Sequence, residues 1–296
     1  MPVDNEIYNR PGDIWWDEHE PLNAIQTALN PARLAYFTEV LRALGLDAAG
    51  KTVVDIGCGG GLFAEELART GARVIGVDPS TSSLATARSH AAAVGLSIDY
   101  RAGAGEKLPL EDASVDIACC VDVLEHVNDV DAVISETARV LRTGGVYVFD
   151  TINRNGLSRL VVIKLLQEWR LTAWMPPTLH AWEQFITPDE LGAVMSRHHL
   201  ECRDVVGIGP GVKPHRLMRL LWQLRTRSIS HGEFGHQVRF VVTKNVRILY
   251  AGYATKATSR QADHRAAGSG VLIGHWGAQL SAHVSPASAG SDANGG

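Results

Sequence analysis

The segment Val53-Val54-Asp55-Ile56-Gly57-Cys58-Gly59-Gly60-Gly61 limits what this chain can fold into more than any other stretch. A β-branched, apolar run ends in four glycines within five residues, and a helical pattern begins at Leu62. Glycine admits positive φ and lets the backbone approach a ligand with no Cβ between them. So tight a passage from strand to helix delivers a helix N-terminus to the carboxyl edge of a sheet, where open α/β sheets bind their ligands. The spacing is not the dinucleotide G-x-G-x-x-G, because Leu62 stands where its last glycine belongs.

The flanking pattern supplies the rest of such a sheet. Residues 52–56, 73–77, 98–101, 115–121 and 146–150 have strand character. Helical spacing runs over 33–44, 62–69, 82–94 and 130–141, and Gly45 is a plausible stop for the first of these. Strands alternating with helices of this length predict a parallel sheet with crossover helices. Beyond Asp150 come an apolar insertion, a helix over 187–198 that opens on Thr187-Pro188, and strands over 201–207 and 237–253. The fold class is therefore α/β, a Rossmann-like doubly wound sheet of seven mostly parallel strands with a helical insertion after strand five. Residues 1–255 form one domain, with the insertion at 154–186. Residues 256–296, rich in Ala, Gly, Ser and His without periodicity, are expected to be a disordered tail.

Two acidic residues bear on the cofactor. Asp55 precedes the first glycine and suits a positively charged ligand better than a pyrophosphate. Asp78 ends the second strand, where a carboxylate can accept both hydroxyls of a ribose. Together they point to S-adenosylmethionine (SAM). Ala104 stands where an acidic residue near the adenine is common, so a backbone amide of 103–109 is the expected contact there.

Strand four runs into Asp122-Val123-Leu124-Glu125-His126-Val127. A helix beginning near Asp122 would put Asp122, Glu125 and His126 on one face, at the sheet edge beside the expected methyl group. Three readings stay open. His126 is a general base for an acceptor hydroxyl, its ordinary pKa suiting the task. Or Asp122, Glu125 and His126 bind a divalent cation that acidifies the acceptor. Or Glu125 and His126 merely fill the end of a helix.

These residues and their flanks resemble the ubiquinone-biosynthesis O-methyltransferases, class I SAM-dependent enzymes acting on a polyprenylated catechol or demethylated quinol. Trp15-Trp16-Asp17, Leu29-Asn30-Pro31-Ala32-Arg33-Leu34, Leu124-Glu125-His126-Val127 and Thr151-Ile152-Asn153-Arg154 carry the likeness. His180-Ala181-Trp182-Glu183-Gln184-Phe185 and Pro188-Asp189-Glu190-Leu191 extend it. The resemblance implies that Arg33, Gly57, Asp78 and the chain near Val121 contact SAM, joining Asp55 and Gly59. It also matches Asp122, Glu125 and His126 to a metal-linked E-x-x-E-H, with Asp in first place, and makes 156–177 a lipid- and prenyl-facing element. That stretch mixes Leu157, Leu160, Trp169, Leu171 and Trp174 with Arg159, Lys164 and Arg170, a pattern that fits either a membrane surface or a core-packing lid. His180-Ala181-Trp182 lacks the family's second-position Asp, and 210–236 is more basic than the pattern.

The implied activity is methyl transfer to a phenolic or quinol hydroxyl, with His126 and Glu125 as catalytic candidates. Trp15, Trp16, Trp174 and Trp182 are candidates to close over an aromatic acceptor. A small-molecule C-, N- or O-methyltransferase of specialised metabolism is the enzymatic alternative, and a non-catalytic SAM-binding protein the other. Net charge is −4 with both signs interspersed, which gives no case for nucleic acid as partner. The four cysteines form no C-x-x-C pair, against a zinc ribbon and in keeping with reduced thiols. The first thirty residues lack an apolar run, and no stretch is long and apolar enough to span a bilayer. The expectation is a cytoplasmic protein with a peripheral membrane contact through 156–177.

Overall fold

The computed structural model describes residues 8–9, 14–170, 173, 175 and 178–257. Helix α1 (Asn30–Ala43) leads into β1 (Thr52–Ile56), α2 (Leu62–Arg69), β2 (Arg73–Asp78), α3 (Thr81–Ala93) and β3 (Asp99–Ala102). Then come β4 (Val115–Cys120), α4 (Val130–Val140) and β5 (Leu141–Ile152). The second half holds the short α5 (Gly156–Ser158), a π-helix at Arg159–Glu168, α6 (Pro188–Arg197), β6 (Leu200–Pro210), α7 (Pro214–Arg225), α8 (His231–Val238), β7 (Phe240–Thr243) and β8 (Leu249–Lys256).

The strands form one sheet in the order β3-β2-β1-β4-β5-β8-β6-β7. The first five are parallel, and β8, β6 and β7 join antiparallel. Both faces of the central strands are covered, which is why β1 and β4 carry consecutive apolar residues, Val53-Val54 and Ile117–Cys120, rather than an alternating pattern. Phe37, Leu41, Phe63, Leu67 and Leu84, from α1, α2 and α3, pack on one face. Ile134, Leu191 and Met195, from α4 and α6, pack on the other. Chain order reverses between β1 and β4, so a crevice opens there at the carboxyl ends of the strands. The cofactor loop, Asp78 and Asp122 all sit on that edge.

The helix starts are set by side chains. Ser80 accepts from the Ser83 amide at α3, and Asp129 from the Ala132 amide at α4. At α6, Thr187 and Glu190 form the reciprocal capping box that Thr187-Pro188 announced.

Four expectations change. The sheet has eight described strands rather than seven, because 237–253 is not one bent strand. Residues 231–238 form α8, β7 follows, and a turn stapled by Asn245 leads to β8; the Asn245 amide donates to Thr243 Oγ1, and Asn245 Oδ1 accepts from the Arg247 amide. No helix starts near Asp122: that residue sits at φ +56°, and α4 begins only at Val130. The insertion helix Arg159–Glu168 is a π-helix. Strand β8 runs to Lys256, one residue past the expected domain end; the expected disordered tail beyond Ala257 lies outside the described residues, as do Leu171 and Trp174. Among the described residues, no helix is long and apolar enough to cross a membrane.

Candidate active site

A cavity of about 1170 Å³ opens at the crevice and runs from the glycine loop to α7. Asp55, Gly57, Gly59, Asp78, Val121, Asp122 and His126 line its polar end, with Arg33 at the base. Val161, Leu165, Leu217, Leu221 and Phe240 line the other end, which is mainly apolar, with Arg225, Thr243 and Asn245 also on that side.

The loop is shaped by what its glycines allow. Gly57, Gly59 and Gly61 have φ of +73°, +50° and +86°. A Cβ on Gly57 would run into the Val123 side chain, and one on Gly59 or Gly60 into the Trp15 indole. Asp78 fastens the loop from the next strand. One carboxylate oxygen accepts from the Gly59 amide at 2.8 Å and the other from the Ser80 amide at 2.8 Å. Each oxygen keeps a second lone pair for a diol.

Asp55 is fully buried, and its oxygens receive no more than a weak assist from the Ala64 backbone. Burial, helped by the charge of Asp78, pushes its pKa up to about 8. A buried carboxylate so poorly compensated is costly. A cationic ligand end in the loop above would remove that cost, so the donor set fits a sulfonium nucleoside: glycines for approach, Asp78 for a ribose and Asp55 for positive charge.

Arg33 comes from α1 and is held by two carboxylates. Its Nε donates to Asp150 at 2.5 Å, and its Nη2 lies 3.0 Å from Asp122. The Asp122 amide in turn donates to Asp150 at 2.8 Å. This network explains the left-handed backbone at Asp122, which a non-glycine residue keeps only where its surroundings fix it. Burial would raise the Asp122 pKa, but the adjacent guanidinium outweighs it and holds the group below the usual carboxylate range.

Asp122, Glu125 and His126 do not converge as a helical face would have them. The Asp122 carboxylate turns to Arg33, while Glu125 lies off the cavity wall and accepts from Thr151 Oγ1 at 2.8 Å. Burial, reinforced by Asp122, pushes the Glu125 pKa up to about 8. Among the described residues no cluster of three or more His, Cys, Asp or Glu stands assembled to hold a metal; Asp122 Oδ2 pairs with Arg33 and Glu125 Oε2 accepts from Thr151 instead. His126 does line the cavity. Burial, opposed by Asp122, takes its pKa down to about 4, which leaves a neutral imidazole at pH 7.

Several lining residues were not singled out from the sequence. Tyr8 stacks on Trp15 and meets the His126 ring edge-on at 6.0 Å, and its carbonyl accepts from the hydroxyls of Ser80, Ser82 and Ser83. His180 lies 5.0 Å from His126, centroid to centroid. Its amide and carbonyl are both bonded to the Gln167 side chain on the π-helix. Glu106 lines the cavity two residues past the alanine that replaces the usual adenine-side acid. The tryptophans divide their work. Trp15 covers Gly59 and Gly60, whereas Trp16 donates to the Gly60 carbonyl and stacks on His90 at 3.5 Å. Trp182 donates to the Asn155 carbonyl beneath Arg159, away from the cavity wall. Tyr8 gave no spacing signal; α7 shows one in Leu217, Leu220, Leu221 and Leu224, at i, i+3, i+4 and i+7, but only the fold brings it to the site.

Residues 54–149 match the family model described as a methyltransferase domain. The ubiquinone biosynthesis O-methyltransferase of Methylobacterium sp. (strain 4-46) is 35% identical over 208 residues, 68% of this chain and 82% of that one. The protein of the same name from Ruegeria pomeroyi is 39% identical over 200 residues, 65% and 79% of the two chains. Among solved structures, a SAM-dependent methyltransferase from Thermotoga maritima, described as a possible histamine N-methyltransferase, superposes with a TM-score of 0.53 at 20% identity. That match covers 82% of this chain and 93% of the other, and it bears on the fold alone.

Proposed function

Since this chain belongs to the ubiquinone biosynthesis O-methyltransferase family, we propose that it methylates one hydroxyl of a catechol or quinol that carries an apolar tail. The observation that carries this reading is the two-ended cavity, with carboxylates and an imidazole at one end and an aliphatic channel at the other.

SAM, when bound, supplies an electrophilic methyl group on a sulfonium leaving group. Gly57 and Gly59 let the backbone approach it, Asp78 holds the ribose hydroxyls, Asp55 faces its positive charge, and Arg33 and Val121 wall the pocket. The residues facing the acceptor have two tasks. The aliphatic end aligns the ring by gripping its tail, which turns a bimolecular encounter into a positioned one. His126, neutral at pH 7, takes the phenolic proton as the oxygen–methyl bond forms; that proton has a reference pKa near 10, so help is needed. Glu125 acts from behind the wall as a positioning residue. The proton transfer is assigned to His126 without a divalent cation, since Arg33 pairs with Asp122 Oδ2 and Thr151 bonds Glu125. We place the protein in the cytoplasm with a peripheral membrane contact through 156–177, where Leu160 and Trp169 are 49% and 56% exposed.

The test is transfer of labelled methyl from SAM to catechols, short-prenyl quinols and simple phenols, with and without EDTA, beside His126→Ala. The expected result is transfer to prenylated catechols, insensitive to EDTA and reduced by roughly 10²–10⁴-fold in the variant. Loss of turnover in EDTA would restore the cation. Methylation only of unprenylated, nitrogen or carbon acceptors would move the chain to specialised metabolism. SAM binding without any transfer would leave a non-catalytic binder.

A further inference from the structure

His180 differs from three other histidines of this fold in what holds its ring. Nδ1 of His90 meets Glu65 at 2.7 Å, Nε2 of His198 meets Asp131 at 3.0 Å, and Nδ1 of His231 meets the His19 carbonyl at 2.8 Å. Nδ1 of His180 is buried and meets no hydrogen-bond partner among the described residues. A buried polar atom left bare is uncommon and asks for a reason. The ring lines the cavity, lies 5.0 Å from the His126 ring at a tilt of 39°, and meets Phe185 edge to face at 6.0 Å. With no acceptor on Nδ1, nothing draws the ring proton to that side. A bare acceptor is better tolerated in the interior than a bare N–H, so the proton belongs on Nε2, the nitrogen left to meet a ligand.

While the ring is unbonded, the backbone beneath it is clamped. Gln167 Nε2 donates to the His180 carbonyl, and the His180 amide donates to Gln167 Oε1, both at 2.9 Å. Gln167 is itself only 5% exposed and sits on the π-helix. Val161, Val162, Leu165 and Leu166 of the same π-helix line the cavity. One element therefore walls the apolar channel and fixes His180 where that channel meets the polar end. Two imidazoles with ring centres 5.0 Å apart can address two oxygens on adjacent carbons of one aromatic ring.

We propose that His180 is a specificity-determining residue, whose Nε2–H donates to the oxygen beside the hydroxyl that is methylated. The role rests on the catechol reading above and adds to it the residue that reads the second oxygen. The two histidines divide the acceptor between them. His126 takes the proton of the reacting hydroxyl, whereas His180 gives a hydrogen bond to its neighbour and takes no proton. A lone phenol would leave the Nε2–H against carbon, and a site built to bond a hydroxyl rejects an analogue that lacks it. Gln167 acts through His180 as a positioning residue.

The experiment compares kcat/KM for methyl transfer from SAM to a short-prenyl catechol and to the matching monophenol, both in EDTA. Wild type, His180→Phe, His180→Gln and Gln167→Met are measured, with SAM affinity by calorimetry as the folding control. His180→Ala repeats the comparison without the bulk of Phe. Wild type should favour the catechol, and His180→Phe and His180→Ala should each lower that preference at least about tenfold. His180→Gln, which restores a side-chain N–H, should recover part of the preference, and Gln167→Met should lose part of it. A merely structural histidine would slow both acceptors alike and leave their ratio in place. An unchanged ratio in His180→Phe and His180→Ala would overturn the role, as would a wild type that takes both acceptors equally. Transfer to neither acceptor by SAM-bound wild type would instead bring down the catechol reading, and this role with it.

Discussion

Replacing Arg33 by Met keeps the stem of the side chain and removes the charge that two carboxylates share. In the native chain Arg33 meets Asp150 at 2.5 Å and Asp122 at 3.0 Å, and it is itself only 3% exposed. Removing one side of a buried ion pair costs about 3–5 kcal/mol, chiefly because the remaining charge is stranded. Here two carboxylates would be stranded together, since the Asp122 amide keeps its bond to Asp150. Like charges at that distance raise each other's pKa, so in the folded variant at least one carboxyl lies above its unfolded value near 3.9. A raised folded pKa gives stability that is present at low pH and lost as pH rises through the folded value. Relative to wild type, the deficit should therefore be about 3–5 kcal/mol at pH 8 and should shrink by about 1.4 kcal/mol for each unit of acidification. Urea unfolding of both proteins at pH 5, 6, 7 and 8, at fixed salt, measures it. A deficit that does not vary with pH, or one under about 1 kcal/mol at pH 8, would refute the shared-charge account.

Two further outcomes follow from the site. In Gly59→Ala a side chain at φ +50° costs about 1–3 kcal/mol, and its Cβ must displace the Trp15 indole, so SAM affinity by calorimetry should fall at least about tenfold; unchanged affinity would mean that the loop does not cradle the ligand. His126, taken down to about 4 by burial, contributes stability that is full above pH 6.5 and lost as pH falls toward 4, whereas Asp55 and Glu125, raised to about 8, slope the opposite way. A comparison with His126→Gln isolates the imidazole: the variant should gain on wild type by about 1.4 kcal/mol per unit as pH drops from 6.5, and parallel acid melts of the two proteins would contradict a buried neutral histidine.

The parts of this molecule that could be read in advance were those governed by local rules. Strands β1, β4 and β5 were legible from their apolar stretches Val53-Val54, Ile117–Cys120 and Val146–Phe149, which helices cover on both faces. Helix α6 was visible because Thr187-Pro188 opens it, and the capping box of Thr187 with Glu190 holds that start in place. Asp78 was legible because it ends a strand next to the glycine loop. The failures have a common cause in long-range packing. His231–Val238 carries two glycines and looks like a poor helix, yet Gly235 sits where any side chain would strike Thr27, so a close helix contact overrides propensity. The face expected for Asp122, Glu125 and His126 assumed helical φ. Asp122 instead takes a left-handed backbone fixed by Asp150, which lies 28 residues away in sequence. Arg33 was placed at the site by resemblance, but its role as the counter-ion of two aspartates could be seen only once α1, β4 and β5 were assembled.

The two ends of the cavity are walled by different parts of the chain, and this separates the traffic of the two ligands. The nucleoside end lies beneath Tyr8 and Trp15, which are tied down by three serine hydroxyls on the Tyr8 carbonyl and by the Trp15 indole N–H on Ser83. The acceptor end is bounded by side chains of α7 and of the π-helix, where the Gln167 side chain bonds the His180 backbone. Nucleoside exchange on the Tyr8–Trp15 side would disturb that cluster of bonds, whereas an acceptor entering past α7 would leave it intact.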